Sequence, residues 1–170
     1  MSGDGTNSTG PRFYGKYRGT VTDNRDPKRL GRIRAHVQDV FGSQDSGWAM
    51  PCVPYAGKGV GLFLIPPLRA WVWMEFEGGQ PEHPVWTGCF WADGEVPASP
   101  ATPETKVLVT DTVSITISDA SKGSGSFAIE TDASSHLALK GQNVDVTNGT
   151  AVIKLSGSTM NVNNGGLEVS

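Results

Sequence analysis

The last third of the chain, from Val107 to Ser170, is a run of very short alternating segments with almost nothing from which to build a core of its own. Its apolar residues recur with one residue between them: Val107 and Val109; Val113, Ile115 and Ile117; Phe127 and Ile129; Leu137 and Leu139. Val144 and Val146, Ile153 and Leu155, Met160 and Val162, and Leu167 and Val169 continue the pattern. Side chains of extended backbone alternate between faces, so the members of each set share one face. The last five pairs begin at 137, 144, 153, 160 and 167, in steps of 7, 9, 7 and 7. Gly, Asn, Ser, Asp and Thr fill the intervals, and these are turn residues. Each unit offers a few apolar side chains on one face and cannot bury them alone. Another copy of the same chain is the most economical cover.

A single-chain solenoid needs roughly 20 residues per rung, so this segment would yield only about three rungs, close to the minimum for such a stack. Three chains about one axis solve the problem differently. Each contributes one side of a triangular prism, and the paired apolar residues meet at the centre. The segment therefore predicts an intertwined triple-stranded β-helix. Its trimer core would be Ile115, Ile117, Phe127, Ile129, Leu137, Leu139, Val144, Val146, Ile153, Leu155, Met160, Val162, Leu167 and Val169, with Val107 and Val109 on the same face. Gly141, Gly149 and the Asn163–Gly166 run supply the positive φ that tight corners need. A disordered tail would suit the Gly/Ser/Asn content, but not alternation sustained over eight segments.

Composition separates this tail from what precedes it. All five Trp and all three Tyr lie before residue 92, and Phe127 is the single aromatic after residue 106. Residues 1–99 carry ten Lys/Arg against ten Asp/Glu, whereas residues 100–170 carry four against seven, a net of −3. That balance argues against a polyanion partner for the whole chain, although eight basic residues cluster between Arg12 and Arg34. Cys52 and Cys89 are too few for a disulfide framework. They read as buried reduced thiols, with a bridge open to them if their strands pair. Residues 1–12 read as a flexible arm, with no basic lead or apolar stretch of a signal peptide. No apolar run reaches the ~18 residues of a membrane helix, which predicts a soluble chain made in a cytoplasm.

Residues 13–91 predict a small antiparallel barrel of five to six strands. Ile33, Ala35 and Val37 alternate with Arg32, Arg34 and His36, and Val72, Met74 and Phe76 alternate with Trp73, Glu75 and Glu77. Ile33, Val37, Val72, Met74 and Phe76 are the expected barrel core. Leu62–Ile65 reads as a further extended run and Val85–Trp91 as the last strand. A closed barrel leaves few exposed edges. Residues 92–106, with Pro97, Pro100 and Pro103, read as an extended linker to the needle at 107–170.

The motifs YRGTVTDNRDPKRLGRIRAHV, WAMPCVPYAGKGVG and WVWMEFEGGQPEHPVWTGCFW, in that order and followed by the β-repeat tail, resemble the central spike proteins of contractile tails. These include phage baseplate assembly protein V, the barrel and needle of the tail-lysozyme spike, and the C-terminal half of VgrG. The resemblance implies an oligonucleotide/oligosaccharide-binding (OB) barrel followed by a β-helical needle, in a homotrimer below a hub at the front of the inner tube. It implies a structural protein without cofactor, assembled in the cytoplasm into a virion tail or injection particle, that pierces a target envelope. Arg18, Arg32, Arg34, Trp71 and Trp73 are the expected hub-facing surface. A lysozyme domain has no room at 92–106, and the chain ends Leu167-Glu168-Val169-Ser170 without an iron-binding His-x-His apex. The expected partner at that end is a separate tip protein of the PAAR type.

Other chemistries fit less of the chain. His36, His83 and His136 lie in different segments and make no metal or catalytic set. Glu75 and Glu77 are spaced along one strand face, as solvated strand carboxylates commonly are. The Gly57–Gly61 loop precedes a strand, whereas phosphate cradling needs a helix N-terminus behind the loop. Single-stranded nucleic acid could stack on Tyr14, Tyr17, Trp71 and Trp73 beside Arg18, Arg32 and Arg34, but the barrel's net charge of zero argues against stable binding. A trimeric β-helical adhesin or tail fibre is the third class.

Overall fold

The computed structural model describes residues 10–119 and 122–169; most of the N-terminal arm and the final Ser170 lie outside them. The chain divides into two units, one ending at Glu95 and the other beginning at Val96. Both are built from β-strands, as the alternation requires.

In the first unit the strands are β1 (Tyr17–Asp23), β2 (Arg34–His36), β3 (Met50–Pro51), β4 (Ala56–Gly57), β5 (Val60–Gly61), β6 (Trp71–Phe76) and β7 (Pro84–Phe90). A one-turn helix α1 (Gln38–Phe41) follows β2, and a 3-10 turn (Glu77–Gly79) follows β6. Five strands form a sheet in the order β2-β1-β6-β7-β3, and β4 pairs with β5 as a separate hairpin. Backbone hydrogen bonds between Ile33 and Ala49, and from Ser46 N–H to Ala35 O, join the two ends of that sheet. The sheet is thereby closed, which removes its edges.

The interior is filled by Val21, Ile33, Ala35, Val37, Ala49, Val72, Met74, Phe76 and Trp86, all buried. Trp86 satisfies its indole N–H by donating to Gly31 O at 3.1 Å. Ser46 is the buried polar residue; its Oγ accepts from Ala35 N–H at 3.0 Å and donates to Gly47 O at 2.8 Å. Phe13, Tyr17, Phe41 and Phe76 pack edge-on or tilted at 5.6–6.2 Å, forming an aromatic cluster beside the core. Phe13 N–H donates to Gly79 O and the Arg12 guanidinium to Gly78 O, so residues 12 and 13 are tied to the barrel.

Three details differ from the sequence reading. Leu62–Ile65 forms no strand: Leu62 N–H donates to Tyr55 O at the foot of the β4–β5 hairpin, the run then meets Pro66-Pro67, and Leu62, Phe63 and Leu64 stay exposed. Cys52 and Cys89 are free and exposed, not buried. Cys52 falls beyond the two-residue β3, and Cys89 near the end of β7, past the buried stretch. Glu77 has left the strand for the 3-10 turn, so it does not extend the Glu75 face.

The second unit is a single eight-stranded antiparallel meander. Its strands are β8 (Thr105–Val109), β9 (Val113–Ser118), β10 (Ser126–Thr131), β11 (Ser135–Lys140), β12 (Asn143–Asn148), β13 (Ala151–Ser156), β14 (Thr159–Val162) and β15 (Leu167–Val169). Each pairs only with its sequence neighbours, leaving β8 and β15 as the two edges of an open sheet. Three consecutive hairpins turn on Gly-X loops: Gly141-Gln142, Gly149-Thr150 and Gly157-Ser158, the glycines at φ 58° to 59°. Positive φ at the first loop residue alone is the type II′ pattern, whose twist matches that of the flanking strands.

Candidate functional site

The meander's register turns the paired apolar residues into two continuous columns. Phe127 stands opposite both Ile117 and Leu139, Leu139 opposite Val144, Val144 opposite Leu155, and Leu155 opposite Met160. In the parallel column Ile115 is opposite Ile129, then follow Leu137, Val146, Ile153, Val162 and Leu167. By register Val169 is opposite Met160. Directly paired residues of antiparallel strands share a face, so these columns form one apolar stripe.

Among the described residues of the second unit, no second layer covers the stripe. No described residue after Glu95 is buried. Ile117, Leu139, Val146, Ile153 and Leu155 retain 41–42% exposure despite aliphatic neighbours on either side. Burial inside one sheet layer stops there, because a sheet buries a face only against a second layer. The opposite face carries Thr116, Ala128, Ala138, Asp145, Lys154 and Asn161 in successive register, which suits contact with water.

Register also corrects the first strand of the unit. Leu108 pairs with Ile115 and Lys106 with Ile117, whereas Val107 and Val109 pair with Thr116 and Ser114. Leu108 therefore extends the apolar stripe, and the two valines lie on the other face. The Lys106 ammonium is paired with the Asp119 carboxylate beside the stripe's upper end.

The five residues assigned to a hub-facing surface separate into two groups. Arg18 on β1 is opposite Trp73 on β6, and its guanidinium lies 5.7 Å from the Trp73 ring and 5.6 Å from Phe90. Trp71 and Trp73 pack on Phe90 with centroids 5.8 and 4.7 Å away. Phe90 reaches this outer face because Thr87 is an extra residue opposite β6: Trp73 pairs with Gly88 but Met74 with Trp86. The bulge turns Trp86 inward and Phe90 outward.

Arg32 and Arg34 form the second group, each guanidinium 5.2–5.6 Å from Trp48. Arg32 is also engaged by Asp26 through Nε and Nη2, at 3.1 and 2.6 Å. That carboxylate accepts the backbone N–H groups of Lys28 and Leu30 as well. The Arg32 hydrogen bonds, aided by the backbone donors, hold the Asp26 pKa far below the usual carboxylate range. This pair fastens the 23–31 loop. Arg34 stays exposed.

The remaining polar candidates are dispersed. Glu75 is paired with Lys16 at 2.7 Å; His36 lies 3.7 Å from Asp45, and His136 lies 3.3 Å from Glu130 in the other unit. Among the described residues, no three His, Cys, Asp or Glu side chains are grouped to hold a metal ion. No helix among them is long and apolar enough to cross a membrane.

Comparison with known families agrees with this geometry at both ends of the chain. Residues 17–91 match the type VI secretion system/phage-baseplate injector OB domain. Residues 105–168 match the phage baseplate V C-terminal trimerisation domain, the same span as the uncovered stripe. None of the curated proteins matches the chain. With an injector OB domain followed by a baseplate trimerisation domain, the chain belongs to the baseplate spike family of phage tails and type VI secretion systems, a family of structural components of the injection apparatus.

Proposed function

We propose that three copies of this chain form the central spike of a contractile injection machine, closing the front of the inner tube and piercing the target envelope when the sheath contracts. The observation carrying this reading is the two-column apolar stripe, open in one chain and coincident with a trimerisation domain. Six-residue strands spaced by about 4.8 Å give a face roughly 20 Å wide and 35 Å tall. Three such faces closing on their stripes make a solid prism with no lumen, a shape suited to carrying axial load.

In this reading the chain corresponds to the C-terminal half of a VgrG-like spike. Its hub protein docks on the barrel through Arg18, Trp71 and Trp73, where a cation stacked on aromatic rings offers rigid contact area rich in interface hot-spot residues. A PAAR-type tip protein caps the C-terminal end. Assembly takes place in the cytoplasm, before the particle meets its target. The test is the mass of the full chain by light scattering, together with persistence of the oligomer in SDS without boiling. A monomer at micromolar concentration removes the basis for the spike.

A further inference from the structure

The first unit has an apolar surface of its own, built on residues other than Arg18, Trp71 and Trp73. Tyr55, Val60, Leu62, Phe63 and Leu64 are 51–70% exposed and line one cleft of about 430 Å³ beneath the β4–β5 hairpin. The strip also borders a second cleft of about 460 Å³, in which Leu62 and Leu64 face Val53, Pro54 and Trp86. Arg29 is the one charged residue lining the first cleft, and none lines the second. A single cation is too little to hold a polyanion there, whose binding needs several phosphate contacts.

We propose that this strip and its clefts are the contact through which the first units of neighbouring copies of the chain pack on one another. The proposal rests on the trimeric reading and extends it to the barrel. Five side chains at these exposures present roughly 500 Å² of apolar surface, large for a surface left to water. A free-standing interface buries about 800 Å² per partner, so the patch suits chains already joined elsewhere. Ten residue-to-residue steps lead from Glu95 to Thr105, a reach of at most about 35 Å. Three first units tethered to one trimerisation domain thus face each other at an effective concentration in the millimolar range. A threefold contact is head-to-tail and needs a projecting element and a receiving one on every copy. Phe63, 70% exposed at the rim of the first cleft, is the element able to project, and the second cleft, bordered by Leu62 and Leu64, is the one to receive it.

The test uses the full chain with Cys52→Ser and Cys89→Ser, carrying a single new thiol at Val60→Cys or, as an exposed reference outside both clefts, at Ser43→Cys. Both proteins are sized by light scattering and alkylated with iodoacetamide. The expected result is a trimer in which the thiol at position 60 reacts about tenfold or more slowly than the one at 43, as local opening must precede reaction. Adding Phe63→Asp should bring the two rates together while the mass stays trimeric. Equal rates in a trimer without that change overturn the proposal alone and leave the strip for another protein. A monomer overturns it together with the trimeric reading beneath it.

Discussion

Ile153 and Lys154 are adjacent in β13 and stand on opposite faces of the second unit, Ile153 between Val146 and Val162, Lys154 between Asp145 and Asn161. Introducing aspartate at each in turn asks the same chemical question one residue apart. Ile153 is 41% exposed in a single chain, roughly 70 Å² of apolar surface that a trimer would cover, worth about 1.5–2 kcal/mol per chain. A carboxylate in its place also resists desolvation by several kcal/mol. With three copies in one layer, the loss is on the order of 15 kcal/mol per trimer. Lys154→Asp stays in water beside Asp145 and should cost no more than about 1 kcal/mol, the scale of a like-charge cross-strand pair. Light scattering and thermal unfolding of the two proteins at equal concentration check this. Ile153→Asp should give a monomer whose first unit still melts cooperatively, and Lys154→Asp a trimer. If Ile153→Asp remains a trimer with an unchanged transition, the stripe is not the association surface.

Three further outcomes follow from the packing. Met74 is fully buried in the barrel, so Met74→Ala should destabilise the first unit by about 2–5 kcal/mol, read as a lowered denaturant midpoint with oligomer mass unchanged. Gly157 takes φ 59° with open space around its Cβ position, so Gly157→Val meets backbone strain without a clash. It should cost about 1–2 kcal/mol per chain in the second unit, seen as a lower temperature for trimer dissociation. Asp26 has its folded-state pKa depressed by Arg32, so its contribution is complete above the unfolded value near 4 and falls away as pH drops below that. The stability gap between wild type and Asp26→Asn in chemical denaturation should be flat from pH 6 to 8 and begin shrinking below about pH 4; a gap that stays constant down to pH 3 refutes this linkage.

The second unit was the more legible in sequence. Strict alternation and Gly-X loops act locally, so eight segments can be read without knowing what they pair with. Where three apolar residues run together, as at Val107-Leu108-Val109, alternation alone cannot choose the face; the pairing of Lys106 with Ile117 and of Leu108 with Ile115 decides it. The barrel was harder because its decisions are non-local. Thr87-Gly88 inverts the outward side of β7, and its only advance signal was a glycine inside a strand pattern. Leu62–Ile65 has the composition of a strand, yet after the Leu62 N–H bond to Tyr55 O the run meets Pro66-Pro67 and forms no strand. Arg32 read as part of an exposed face, but Asp26 six residues earlier had already claimed it, and nothing in the spacing announces that pair.

The two units reach stability by different routes, and the difference fits the spike proposed for three copies of the chain. The barrel closes on its own buried side chains, so its folding is a property of one chain. The second unit pairs its strands in one continuous open meander but has no buried side chain among its described residues. Its stability therefore depends on protomer concentration until the copies have met. Once three stripes face one another, opening any hairpin exposes apolar surface on all three chains together. That cost falls on the transition state for separation as well as on the end state, so the assembled form is held by a slow rate and not only by a favourable equilibrium. A sheet that cannot stand alone and separates slowly once assembled differs from a self-sufficient domain in one measurable way: after dilution far below the assembly concentration, its trimer mass should persist for hours, whereas refolding from denaturant at that same dilution should fail to regenerate it.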